Sequence, residues 1–148
     1  MKSVRLMSPF RKVFLATLAI GILFFLASCS STSHFLNSSV VPSAKGTVKV
    51  KKDNNNNYAI KISIQHLTEP DRLQPSKETY VTWMVTENNV TRNMGQINTS
   101  TSLFSKKYKA YFETVSSFKP IKIFITAEND GSIQYPGSQV VLTTEDLD

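Results

Sequence analysis

Cysteine is almost missing from this chain: Cys29 is the only one in 148 residues. No intrachain disulfide can form, so a folded core must hold by burial alone. Histidine is scarce too, with only His34 and His66. One thiol and two imidazoles make a poor ligand supply for a zinc-type cluster. A serine–histidine–acid set would have to use His66, and no strained nucleophile turn stands near it. These shortages argue against hydrolytic and metal chemistry, and the chain reads as a non-enzyme needing no cofactor. Helical periodicity is also lacking after Cys29, which excludes a bundle. Acidic residues do not occur before Cys29: all 11 Asp and Glu follow it. The formal charge of +6 is therefore misleading, because four of the 17 Lys and Arg precede Cys29 and the remainder carries only +2. A nucleic-acid partner is not expected from so small a balance.

What the amino terminus does have is a fixed order. Lys2, Arg5, Arg11 and Lys12 come first, an uncharged run from Val13 to Ala27 follows, and small residues and the cysteine close it. Basic, then apolar, then small is the layout of a secretory signal. The 15-residue run is shorter than the ~20 residues that a membrane-spanning helix requires. Basic residues flank it on one side only, and Ser28 to Ser33 is polar.

The stretch Leu26-Ala27-Ser28-Cys29 resembles the lipobox of bacterial lipoproteins. The resemblance implies a signal peptide of residues 1–28, a diacylglycerol thioether on Cys29 and acylation, with palmitate-like chains, of the amino group that cleavage frees. The residue types suit that chemistry. A thiolate can be alkylated, Ala27 and Ser28 are small enough to lie extended in a peptidase cleft, and Leu26 supplies an apolar contact. Each buried methylene contributes about 0.8 kcal/mol, and about two chains are enough for stable anchoring. The implied location is the extracytoplasmic face of the bacterial cell envelope, at the outer membrane in a Gram-negative cell. Membrane lipid is then the first partner.

After the cysteine, residues 29–45 read as a lipidated tether, uncharged and serine-rich from Ser30 to Ala44. Fifteen flexible residues reach about 20 Å, enough to lift a domain clear of the headgroups. His34 reads as solvated. From Gly46 the pattern becomes a period of two, the mark of half-buried strands. Val48 and Val50, then Ile60, Ile62 and Ile64, alternate with polar residues across an Asp53–Asn57 turn. Pro70 and Pro75 place a crossing loop at Thr68–Ser76. Thr79–Thr86 is the next strand, with Val81, Trp83 and Val85 on one face and Tyr80, Thr82 and Met84 on the other. Trp83 is the expected anchor of the layer between two sheets. Val90–Ile97, Tyr108–Val115, Pro120–Glu128 and Gln139–Thr143 complete about seven strands, and Asn98–Ser102 reads as a loop. Gly95 points to a bulge, and Gly131 to a turn with positive φ. The prediction is an antiparallel β-sandwich over residues 46–144, with a small barrel as the alternative, and a frayed acidic tail over 145–148.

Three stretches together resemble a known family: Tyr80-Val81-Thr82-Trp83-Met84-Val85, then Asn93-Met94-Gly95-Gln96-Ile97, then Ile125 to Ser132 leading through Tyr135-Pro136-Gly137 to Val140-Val141-Leu142. The pattern is similar to the extracytoplasmic domain of the anti-sigma-K factor family and covers roughly Gly46 to Leu142. The resemblance implies an immunoglobulin-like sandwich. It implies no catalytic residue. Sigma-factor regulation does not carry over, because that belongs to a cytoplasmic domain with no counterpart in these motifs.

Candidate binding groups are Lys49, Lys51, Lys52 and Lys61, which line the outer face of the first hairpin, and Tyr80, Tyr108, Tyr111 and Tyr135, an aromatic set for sugar. Asn129-Asp130-Gly131 starts like a calcium loop, but its further ligand positions are missing. The expectation is an interaction or structural module at the envelope with a protein or polysaccharide partner. A carbohydrate-binding module is the alternative.

Overall fold

The computed structural model describes residues 30–100 and 109–147. Eight strands follow in order: β1 Ser30–His34, β2 Lys45–Lys52, β3 Tyr58–Gln65, β4 Thr79–Thr86, β5 Thr91–Ser100, β6 Lys109–Ser116, β7 Pro120–Glu128 and β8 Val140–Thr143. One turn of 3-10 helix, Pro70–Arg72, interrupts the β3–β4 connection. All the strand pairings are antiparallel. Among the described residues no helix is long and apolar enough to cross a membrane.

The strands form a β-sandwich. The first sheet runs β1-β2-β3-β6 and the second β4-β7-β8, with β5 belonging to both. Thr91 to Ile97 of β5 pairs with β4, and Asn98 to Ser100 pairs with β6. At the other side the sheets meet through an isolated bridge, Phe35 to Thr144, with the Leu36 amide donating to the Thr143 carbonyl at 2.8 Å.

Alternation explains the first hairpin. In register, Val48 faces Ile62 and Val50 faces Ile60, and all four are buried. Burying each such side chain contributes about 1.5–3 kcal/mol. The connecting turn is built by Asp53, whose Oδ1 accepts the amides of Asn55 and Asn57, both at 2.8 Å. Asn56 takes a φ of 64°, which asparagine tolerates.

The structure corrects the expectation for Trp83. Tyr80, Thr82 and Met84 stand opposite Ala127, Ile125 and Ile123, and this is the set that faces the other sheet. Trp83 and Val81 are completely buried, but on the outer side of the second sheet. The loop after β7 folds over that side. Trp83 stacks on Phe124 at 6.3 Å, and its indole N–H donates to Thr126 Oγ1 at 2.8 Å. Alternation finds two faces but not which of them meets the partner sheet, and here both are covered.

Four further differences concern the ends of segments. The residues read as a tether are folded: β1 pairs with β2, and Phe35, Ser38, Val41 and Ala44 are buried. Their apolar pairs find a place on the sandwich, and burial outweighs the entropy of a free chain. The acidic tail is docked as well. The Leu147 amide donates to the Ile121 carbonyl at 2.7 Å, and its side chain is buried. β5 continues through Asn98 to Ser100, where a loop is expected from composition. Gly131 does not need a positive φ; a Cβ there would overlap the Gln96 side chain. Gly95 does sit at the bulge, with φ 120°.

Candidate functional site

Connections differ sharply between the two ends of the sandwich. At one end lie short turns, residues 53–57, 87–90 and 117–119. At the other lie long loops, residues 35–44, 66–78 and 129–139. Long loops held by a rigid scaffold are where binding surfaces concentrate. All three long loops border one groove of about 850 Å³.

Specific tertiary bonds shape the groove. The Tyr80 hydroxyl donates to the Thr68 carbonyl at 2.7 Å and ties the β3–β4 loop to the core. Burial, with Asp71 adding its negative charge, pushes the Tyr80 hydroxyl well above the ordinary tyrosine range, so it stays a donor. The Lys77 and Leu73 amides both donate to the Pro70 carbonyl and curl that loop around its 3-10 turn. Across from it, Asn93 Nδ2 donates to the carbonyls of Gly131 and Ile133 at 3.0 and 2.7 Å, which pulls the β7–β8 loop over Trp83. Glu128 is buried to 6% exposure, and its Oε1 accepts the Gly137 amide at 2.7 Å.

Donors and acceptors are both available in this groove. Arg72 and Lys77 bring cations from the β3–β4 loop, and Arg72 also lies 3.5 Å from Glu69. Glu128 and Gln139 line it from the β7–β8 side. Gln139 Oε1 is buried without a hydrogen-bond partner, an arrangement that leaves an acceptor unsatisfied. Val40, Leu73 and Val140 add apolar surface, and Val140 is 42% exposed. Among the described residues no aromatic side chain lines the groove.

The residues singled out from sequence lie elsewhere. Lys49, Lys51, Lys61 and Tyr111 share the outer face of the first sheet, where Lys49 pairs with Lys61 and Ser63 with Tyr111. Lys61 is engaged by Glu113 at 2.6 Å, both largely exposed. Lys52 departs from that set and lies 5.7 Å from the Tyr58 ring. The tyrosines do not form one platform. Tyr80 is in the core, Tyr111 is on the first sheet, and Tyr135 is 81% exposed in the loop over the second sheet. Tyr108 lies outside the described residues, as do Leu26, Ala27, Ser28 and Cys29. Asp130 is occupied by a local turn: its Oδ1 accepts both the amide and the hydroxyl of Ser132 at 2.8 Å. Those two bonds hold its carboxyl below the usual aspartate range.

Arg72, Lys77, Glu128 and Gln139 carry no sequence motif that marks them. The available signal was loop length, since Pro70 and Pro75 bracket a connection too long for a simple turn. No protein-family model matches the chain, and neither the curated proteins nor the solved structures contain a match.

Proposed function

We propose that the chain is a bacterial lipoprotein, anchored in the envelope membrane through acylated Cys29, whose β-sandwich binds a protein partner through the long-loop groove. The observation that carries the binding role is the groove itself, bordered by every long loop among the described residues. Its cations, the unused acceptor of Gln139 and apolar patches suit an extended polypeptide, which offers carbonyls, amide N–H groups and side chains together. A sugar reader normally stacks its ligand on aromatic rings, and the described residues of this groove include none, which favours a peptide over a glycan.

An immunoglobulin-like classification is part of the same reading. It is supported by the strand order, with β2-β3-β6 in one sheet, β4-β7-β8 in the other and β5 at their junction. The likeness to the anti-sigma-K extracytoplasmic domain contributes a fold and no activity.

Two measurements test the proposal. Metabolic labelling with a palmitate analogue marks the wild type, and Cys29→Ser remains an unlabelled precursor; equal labelling would end the lipoprotein reading. A photocrosslinker at Val140 in intact cells captures a protein that Arg72→Ala with Lys77→Ala releases. The same crosslinker at Tyr111 captures none. Crosslinks that ignore the double substitution would remove the groove from the function.

A further inference from the structure

We infer that the short-turn end of the sandwich rests in the lipid headgroup layer, so that the groove points away from the membrane. This rests on the acylation of Cys29 proposed above and goes beyond it, because a long tether would leave the domain free to tumble. Ser30, the residue after Cys29, is already paired with Lys51 at the far end of β2. Consecutive Cα atoms are about 3.8 Å apart. The headgroup layer adds roughly 5–7 Å to each side of the hydrocarbon. A cysteine whose acyl chains enter the hydrocarbon therefore holds the start of β1 in that layer, with no slack between them.

The composition of that end suits such contact. The β4–β5 and β6–β7 turns are joined by the Glu87 amide donating to the Lys119 carbonyl at 3.1 Å. They carry two exposed apolar side chains, Val90 at 46% and Phe118 at 39%. Arg92 lies 4.2 Å from the Phe118 ring centroid. Lys51, Lys52 and Lys119 are further cations toward the same end, Lys51 opposite Ser30 and Lys52 and Lys119 lining one hollow. Cations beside small apolar and aromatic insertions are the pattern that a headgroup layer accommodates. Asp53, Glu87, Glu145 and Asp146 lie toward the same end, so the attraction is local pairing of each cation with a lipid phosphate rather than a broad field. Strands of eight residues, at about 3.4 Å each, span about 27 Å. The groove therefore stands about that far above the headgroups.

The chain's single cysteine makes the orientation measurable. Once its sulfur carries the diacylglycerol thioether, an introduced cysteine is the only thiol. Phe118→Cys, Val90→Cys and Tyr135→Cys each replace an exposed side chain and accept a thiol-reactive fluorophore. The acylated protein is reconstituted in vesicles of phosphatidylcholine and phosphatidylglycerol that carry a headgroup nitroxide quencher, and its acylation is verified by mass. Quenching several-fold stronger at 118 and 90 than at 135 is expected. An acylated, vesicle-bound protein quenched equally at all three, or most at 135, overturns the orientation alone. A mass lacking acyl chains overturns the lipoprotein reading and the orientation with it.

Discussion

The two ends of this sandwich are built by different means. At the short-turn end each turn is closed by bonds between near neighbours, and one distant bond, from the Glu87 amide to the Lys119 carbonyl, joins two of them. Asp53 N–H donates to the Asn57 carbonyl, Asn89 N–H to the Thr86 carbonyl, and Phe118 N–H to Ser116 Oγ. The long-loop end has local bonds of this kind too, but its loops are fastened to the sandwich by bonds between distant residues. Tyr80 reaches Thr68 across 12 positions, Ser43 reaches His66 across 23, and Asn93 reaches Gly131 and Ile133 across 38 and 40. A local bond forms whenever its few residues meet, whereas a distant one requires the strands to be in place first. The long-loop end thus depends on the whole fold for its shape, and amide exchange is expected to show it opening before the strands do.

The largest test of that contrast removes the segment that touches both ends. A fragment of residues 46–144 lacks β1 and the buried Phe35, Val41 and Leu147. At about 1.5–3 kcal/mol for each buried side chain, it loses roughly 5–9 kcal/mol, of the same order as the whole stability of a typical domain. Urea denaturation is expected to find it unfolded or nearly so, while residues 30–148 unfold cooperatively; equal midpoints would mean that the amino-terminal segment contributes nothing.

Next comes Trp83→Ala, at about 3–5 kcal/mol. Its loss falls on the loop cover rather than between the sheets. Amide exchange is expected to rise most over 129–139 and least over 53–57. Uniform acceleration would return Trp83 to the central layer.

A smaller effect is expected from Asn93→Ala, which removes two bonds to loop carbonyls and the bond that its Oδ1 accepts from the Gly95 amide. At about 1 kcal/mol for each bond, the cost is about 3 kcal/mol by thermal melting. Partner crosslinking at Val140 falls with it if the β7–β8 loop shapes the groove.

The smallest belongs to the other end. Asp53→Ala deletes an exposed turn acceptor and costs about 0.5–1 kcal/mol. Exchange is expected to quicken only within 53–57, with the groove untouched; a change at 129–139 would show that the two ends are coupled.

The legible parts of the molecule follow this division. β2, β3, β4 and β7 stand where alternation places them, because a period of two needs only a residue's own neighbours. The Asp53 turn was visible for the same reason. The inward face of β4 was not, since Val81 and Trp83 are as apolar as Tyr80 and Met84. Serine-rich composition disguised β1, whose five residues SSTSH carry no apolar side chain and gain their order from β2. The groove left almost no trace, because Arg72, Glu128 and Gln139 come from separate segments and are ordinary polar residues in each.

By itself the sequence determined the all-β class, the lack of disulfides, the local turns and the order of charge, apolar run and cysteine at the amino terminus. Each of these is written in residues that lie side by side. Only the tertiary structure decided that the presumed tether and tail belong to the domain, that Trp83 lies beneath a loop rather than between the sheets, and that three long loops share one groove. Those outcomes depend on which surfaces find a partner when the sheets close. Burial is a property of the assembled fold, and no single segment carries it.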